Sequence, residues 1–125
     1  MKFKTRIKVI VKDEGVKSLE KLKVGDLVRC EDGEFYPIKN ILTASGSLFF
    51  YRLSNNISFY LSPRVQIKMS SGFKIPELWD ELKLQDNITP QIVQKKIIPK
   101  IVFFNDILID SNMVTPEGIV FTFRT

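Results

Sequence analysis

Histidine is absent from this 125-residue chain. That removes the one side chain whose ordinary pKa lies near neutral pH, and with it the usual means of activating a serine or cysteine nucleophile. Cys30 is the only cysteine, so neither an internal disulfide nor a cysteine metal cluster can form. Without histidine, a zinc site would rest on carboxylates alone, so no metal and no cofactor is expected. No Walker loop and no GxGxxG segment is present to cradle a nucleotide's phosphates. No uninterrupted apolar run approaches the roughly 18–20 residues that span a bilayer. Charges interrupt Met1 to Lys12 too often for a secretory signal. No membrane association is expected, and the expected location is the cytoplasm or a virion-like particle assembled there.

What is present describes a folded domain. Apolar residues make up 44% of the chain, ten of them phenylalanines, which is enough for a single core over residues 1–125. The abundant Lys, Ile, Asn and Phe fit an AT-rich genome. The net charge is +5, and its cations gather at the start, where Lys2, Lys4, Arg6 and Lys8 alternate with Phe3, Thr5, Ile7 and Val9. Period-two alternation predicts a half-buried strand with a cationic outer face. Such a face is either a binding surface for phosphates or an acidic protein, or an edge strand whose lysines discourage pairing with another chain.

Turn signals recur along the chain and long helical periodicity does not. Val28–Cys30 and Phe35–Ile38 flank Glu31-Asp32-Gly33-Glu34, which predicts a hairpin with an Asp-Gly turn. Phe49–Leu53 and Ile57–Leu61 flank a second turn at Ser54-Asn55-Asn56, and Val65–Met69 and Phe73–Ile75 a third at Ser70-Ser71-Gly72. Residues 101–109 form an apolar stretch broken by Asn105-Asp106, and 119–123 close the chain as a strand. Val16–Leu22 and Ile75–Leu82 suit helical turns, the second opened by Pro76. The fold class expected is all-β with one or two short helical turns.

An internal echo points to duplication. Glu20-Lys21-Leu22-Lys23-Val24-Gly25-Asp26-Leu27-Val28 is matched sixty residues later by Asp80-Glu81-Leu82-Lys83-Leu84-Gln85-Asp86-Asn87-Ile88. At the same offset Ile41 meets Ile101. Leu22, Val24, Leu82, Leu84, Ile41 and Ile101 are therefore expected to be buried in two related positions. Gly25 suits a positive φ and Asp26 can accept backbone N–H groups there, whereas Gln85 must manage the second turn with a side chain.

Together these segments resemble a Hint (hedgehog/intein-like) domain. Leu19 to Val28 is similar to the "IxxLxxGDxV" segment of intein and hedgehog autoprocessing domains, with Thr5-Arg6-Ile7 upstream in the expected order. Tyr51-Arg52-Leu53 through Leu61-Ser62-Pro63-Arg64-Val65 resembles the block that ends "TPxH", and Asn112 to Phe121 the closing "NFxxxxGIxVHN" strand pair. The resemblance covers nearly the whole chain. It implies a pseudo-twofold horseshoe of β-strands whose two chain ends meet in the middle.

The resemblance also identifies where the family's chemistry would reside. The attacking Cys or Ser would fall just before Met1, the block histidine corresponds to Val65, and the closing His-Asn pair corresponds to Thr122-Phe123. No catalytic residue is therefore expected, and the chain is read as a non-enzyme. Ser62 and Arg64 adjoin the vacated position as parts of an ordinary turn. Cys30 reads as a buried bystander, and Asp13-Glu14 and Glu31-Asp32 as solvated turn carboxylates. Thr89 to Lys100, where many inteins carry an endonuclease, reads as a short solvated connection. Trp79 and Phe73 read as core anchors, although an exposed Trp79 would mark an interface.

The function expected is a structural or protein-interaction module on an inactivated scaffold, such as a phage virion or assembly component. The alternatives are a nucleic-acid-binding module using Lys2, Lys4, Arg6 and Lys8, or a divergent autoprocessing domain.

Overall fold

The computed structural model describes residues 2–123, so the expectation about what precedes Met1 lies outside the described residues. Thirteen strands and one 3-10 turn occur among the described residues. The strands are β1 (Lys8–Val11), β2 (Gly15–Ser18), β3 (Leu27–Arg29), β4 (Phe35–Pro37), β5 (Asn40–Gly46), β6 (Phe49–Leu53) and β7 (Ser58–Leu61). They continue with β8 (Val65–Met69), β9 (Gly72–Lys74), β10 (Ile92–Ile97), β11 (Val102–Leu108), β12 (Met113–Val114) and β13 (Val120–Phe123). They form antiparallel sheets in the orders β2-β1-β3-β4, β10-β6-β7, β11-β5 and β12-β13-β8-β9. No helix among the described residues is long and apolar enough to cross a membrane.

Local chemistry explains the hairpins. Between β3 and β4, Gly33 takes φ +85°, which a side chain would oppose, and the Asp32 carboxylate accepts the Glu34 N–H at 3.0 Å. The Tyr36 hydroxyl donates to the other Asp32 oxygen at 2.6 Å. Asn56 takes φ +69° in the β6–β7 turn, a conformation asparagine tolerates. The three hairpins read from the sequence are all present.

β5 and β11 pair over their whole lengths, from Asn40↔Leu108 to Gly46↔Val102. An antiparallel pair has a local twofold axis, so this ribbon joins the two halves of the chain symmetrically. One cluster of buried residues runs from Ile7 to Phe121, and Arg6 and Ile7 share the lining of a small cavity with Ile119 and Phe121. Among the described residues, the first and last stretches of the chain thus reach the same place, as expected of the horseshoe.

Several expectations fail for identifiable reasons. Residues 2–7 do not enter a ladder; Arg6 takes φ +66°, and the segment bonds in turn to Phe103, Tyr60 and Leu19. The burial alternation nevertheless holds, with Thr5, Ile7 and Val9 buried and Lys4, Arg6 and Lys8 exposed. β1 lies between β2 and β3, so its lysine does not guard a sheet edge. Val16 to Ser18 is strand, and only Leu19–Lys21 forms a 3-10 turn.

No helical turn forms at Ile75–Leu82. Instead, the Asp80 N–H bonds the Glu77 carbonyl at 3.1 Å, and Pro76 offers its carbonyl to the Tyr51 hydroxyl and the Lys95 ammonium. The stretch read as a solvated connection contains β10, paired with β6 from Ile92↔Leu53 to Ile97↔Phe49. Its two lysines hid it, yet the Lys95 ammonium lies over the Phe49 ring at 4.7 Å. Trp79 is 61% exposed, in a turn at φ +71°, and anchors no core. Phe73 is half-buried.

The echo is partial. Leu22, Leu82 and Leu84 are buried, but Val24 is 60% and Ile101 70% exposed, and Ile41 is intermediate. Gly25 has φ +91° and Asp26 accepts the Lys23 N–H at 2.9 Å, as read from the sequence. In the second copy the positive φ moves to Asn87, so Gln85 is spared that conformation and its side chain donates to the Glu31 carbonyl at 2.9 Å.

Candidate functional site

The turn before β8 is built by its own side chains. The Ser62 hydroxyl accepts the Arg64 N–H at 3.2 Å and the Ser62 carbonyl accepts the Val65 N–H at 3.1 Å. This delivers Val65, 1% exposed, to the start of β8. β13 runs antiparallel beside it, with Phe123 opposite Val65, Thr122 opposite Gln66 and Phe121 opposite Ile67. The positions singled out from distant parts of the sequence, Val65 and Thr122-Phe123, are therefore neighbours.

An open cavity of about 240 Å³ adjoins Phe123, lined also by Asn40, Leu42, Arg64, Asp106, Ile107 and Leu108. Leu42 and Leu108 are more than half exposed there. The Arg64 guanidinium meets the Asp106 carboxylate at 2.7 Å, with the Asp106 side chain only 14% exposed. Sequence reading saw Asp106 merely as a break in an apolar stretch. A lone acid in a hydrophobic run was the available signal, but its partner 42 residues away was not legible. Val65, buried and next to Arg64 in sequence, supplies hydrocarbon, with no proton to give or take.

The Thr5 hydroxyl and the Cys30 thiol are occupied elsewhere. Thr5 donates its hydroxyl to the Glu20 carboxylate at 2.9 Å, and its backbone N–H bonds the same oxygen. Cys30 is fully buried, its thiol 3.5 Å from the Val28 carbonyl. Burial pushes that thiol up to about 11, so it stays protonated and unreactive at neutral pH. One acid of each turn pair is engaged by a lysine: Glu14 holds Lys17 three residues on at 2.7 Å, and Glu31 holds the distant Lys68.

The four cations read as a binding face do come together. Lys2, Lys4, Arg6 and Lys8 line one open groove of about 980 Å³ with Ser18, Glu20, Lys21, Thr43 and Phe103. Lys21, Thr43 and Phe103 were missed because they arrive from three separate elements.

The architecture is shared with solved structures. A variant gp41-1 intein superposes with a TM-score of 0.80 at 15% identity, covering 98% of this chain and 97% of that one. The MchDnaB-1 intein gives 0.74 at 15% identity over 96% and 98%. An intein-like domain from Clostridium thermocellum gives 0.73 at 15% identity over 98% and 99%. Neither a family model nor a curated protein sequence matches the chain. The fold is an intein-like Hint fold. At such low identity the likeness establishes architecture and carries no activity with it.

Proposed function

We propose that this chain is a non-enzymatic interaction module, a Hint-like scaffold that works through its surfaces instead of through peptide-bond rearrangement. The observation carrying this reading is the Val65–Phe123 pair. Two apolar side chains face each other across β8 and β13, where the resemblance would place the proton-handling and closing groups. General acid–base work needs a titratable group within hydrogen-bond reach of the scissile bond. The chain has no imidazole to offer, and the nearby Asp106 carboxylate is engaged by Arg64.

Docking on a protein partner is supported by the apolar side chains left outside the core. Trp79 is 61% and Leu78 46% exposed on the same turn, and tryptophan is enriched among residues that dominate interface energies. A component of a larger assembly, such as a phage particle, fits such a module.

The test is an autoprocessing assay. Peptides fused to both ends of the full chain are followed by mass spectrometry over days, with and without thiol or hydroxylamine. Intact fusion throughout is the expected result. Cleavage or splicing at either junction, abolished by changes at Ser62, Arg64 or Asp106, would overturn the proposal.

A further inference from the structure

We infer that the groove holding Lys2, Lys4, Arg6, Lys8 and Lys21 is a binding site for an extended single strand of nucleic acid. The first ground is uncompensated charge. None of these five cations forms an ion pair with a described carboxylate, and all five line one concavity, whereas other lysines without an ion pair, such as Lys12, Lys23 and Lys83, lie outside it. The chain's net charge of +5 is thus matched by a local excess in one concavity. Glu20 is the one carboxylate lining it, and Thr5 already occupies one of its oxygens. Positive concavities concentrate field lines and attract polyanions.

The second ground is independent and lies in the aromatic residues around that charge. Phe103 lines the groove and is 55% exposed. Beyond Arg6 the surface continues as rings and cations in alternation. The Arg6 guanidinium lies 5.3 Å from the Tyr60 ring centre, which packs against Phe3 at 4.8 Å and Phe50 at 5.1 Å. Lys96 stands over Phe50 at 5.4 Å and Lys100 over Phe3 at 5.8 Å. These residues come from four separate stretches of chain, so the sequence shows only the first of them. A cationic track beside the exposed Phe103 ring is the combination that holds single strands, phosphates on the charges and a base against the ring.

The same features argue against other polyanions. Among the described residues no α-helix is present to enter a major groove. A duplex would also keep its bases stacked on one another and away from Phe103. An acidic polypeptide would use the cations and leave the ring without a role.

The experiment is fluorescence anisotropy on the full chain with labelled oligothymidylate and oligouridylate of about 20 nucleotides, a DNA duplex, and polyglutamate as competitor. If all five cations meet phosphates, the affinity falls with salt at a logarithmic slope near −3.5, a loss of about 100-fold between 50 and 200 mM. Lys4→Glu with Lys8→Glu is expected to weaken binding at least tenfold at 50 mM and flatten the slope to about −2. Phe103→Ala is expected to weaken it about tenfold with the slope unchanged, since stacking releases no counterions. Lys83→Glu, an exposed charge reversal outside the groove, is expected to leave affinity within about threefold. Circular dichroism confirms that each variant is folded.

No binding of either oligonucleotide at 50 mM salt would overturn the inference. So would equal weakening by Lys83→Glu, or polyglutamate displacing the strand at equal charge concentration, which would mark an acidic-protein site.

Discussion

Leu84 and Val24 occupy equivalent places in the internal echo, yet one is 5% exposed and the other 60%. If burial and not motif membership sets their contribution, Leu84→Ala and Val24→Ala must differ sharply. Leu84 packs beneath the turn that leads into β13, where a Cβ built on Gly118 would lie 3.7 Å from the Leu84 Cβ. Truncating a leucine at such a site removes buried methyl groups and leaves a void, at about 3 kcal/mol. Truncating an exposed valine costs less than about 0.5 kcal/mol. For a chain of this length 1 kcal/mol corresponds to roughly 3–5 °C, so the expected falls in Tm are about 10 °C and under about 2 °C. Urea titration followed by circular dichroism measures both, with an unchanged slope showing that only stability moved. Equal losses at the two positions would refute the reasoning and restore the two copies as energetic equals.

Three further outcomes are expected. The Cys30 thiol, protonated up to about pH 11 by its burial, should react with Ellman's reagent at pH 8 only as fast as the protein opens, and rapidly in urea; rapid labelling of the native protein would contradict its placement. Glu31 has its pKa lowered, first by the hydrogen bond from Lys68, so it favours the folded state above the ordinary carboxylate value of about 4.3 and loses that contribution as pH falls through its folded value. The stability deficit of Glu31→Gln at pH 7 should accordingly vanish by about pH 2, and a deficit independent of pH would show that the ion pair is not its source. The sole tryptophan should emit as a water-exposed indole and be quenched freely by acrylamide, and Trp79→Gly, which suits φ +71°, should leave stability within about 1 kcal/mol. Protected fluorescence would contradict the exposed turn.

The parts of the fold that were legible in the sequence are those written in local chemistry. Asp32-Gly33, Asn55-Asn56 and Ser71-Gly72 mark turns because each fixes its backbone within a few residues. β10 and β5 were not legible. β10 carries Lys95 and Lys96 in mid-strand, and β5 runs Asn-Ile-Leu-Thr-Ala-Ser-Gly with little burial, so neither shows the alternation that signals a half-buried strand. Val65 and Phe123 could be singled out only through the resemblance, since nothing local to a valine or a phenylalanine says they face each other. The Arg64–Asp106 pair and the groove depend on contacts between distant segments, which composition and period do not encode. Four of the groove's cations were visible because they sit at alternate positions of one stretch; Lys21 and Phe103 were not.

The ribbon of β5 and β11 presents different neighbours on its two sides. Leu42, opposite Asp106, turns toward the cavity beside Phe123, while Thr43, one residue on, turns with Phe103 toward the cationic groove. Successive residues of one strand thus serve separate compartments, as a party wall does. Changes at Leu42 or Leu108 can reshape one compartment while the other keeps its lining, so the two sides of this wall are free to diverge under different selective pressures.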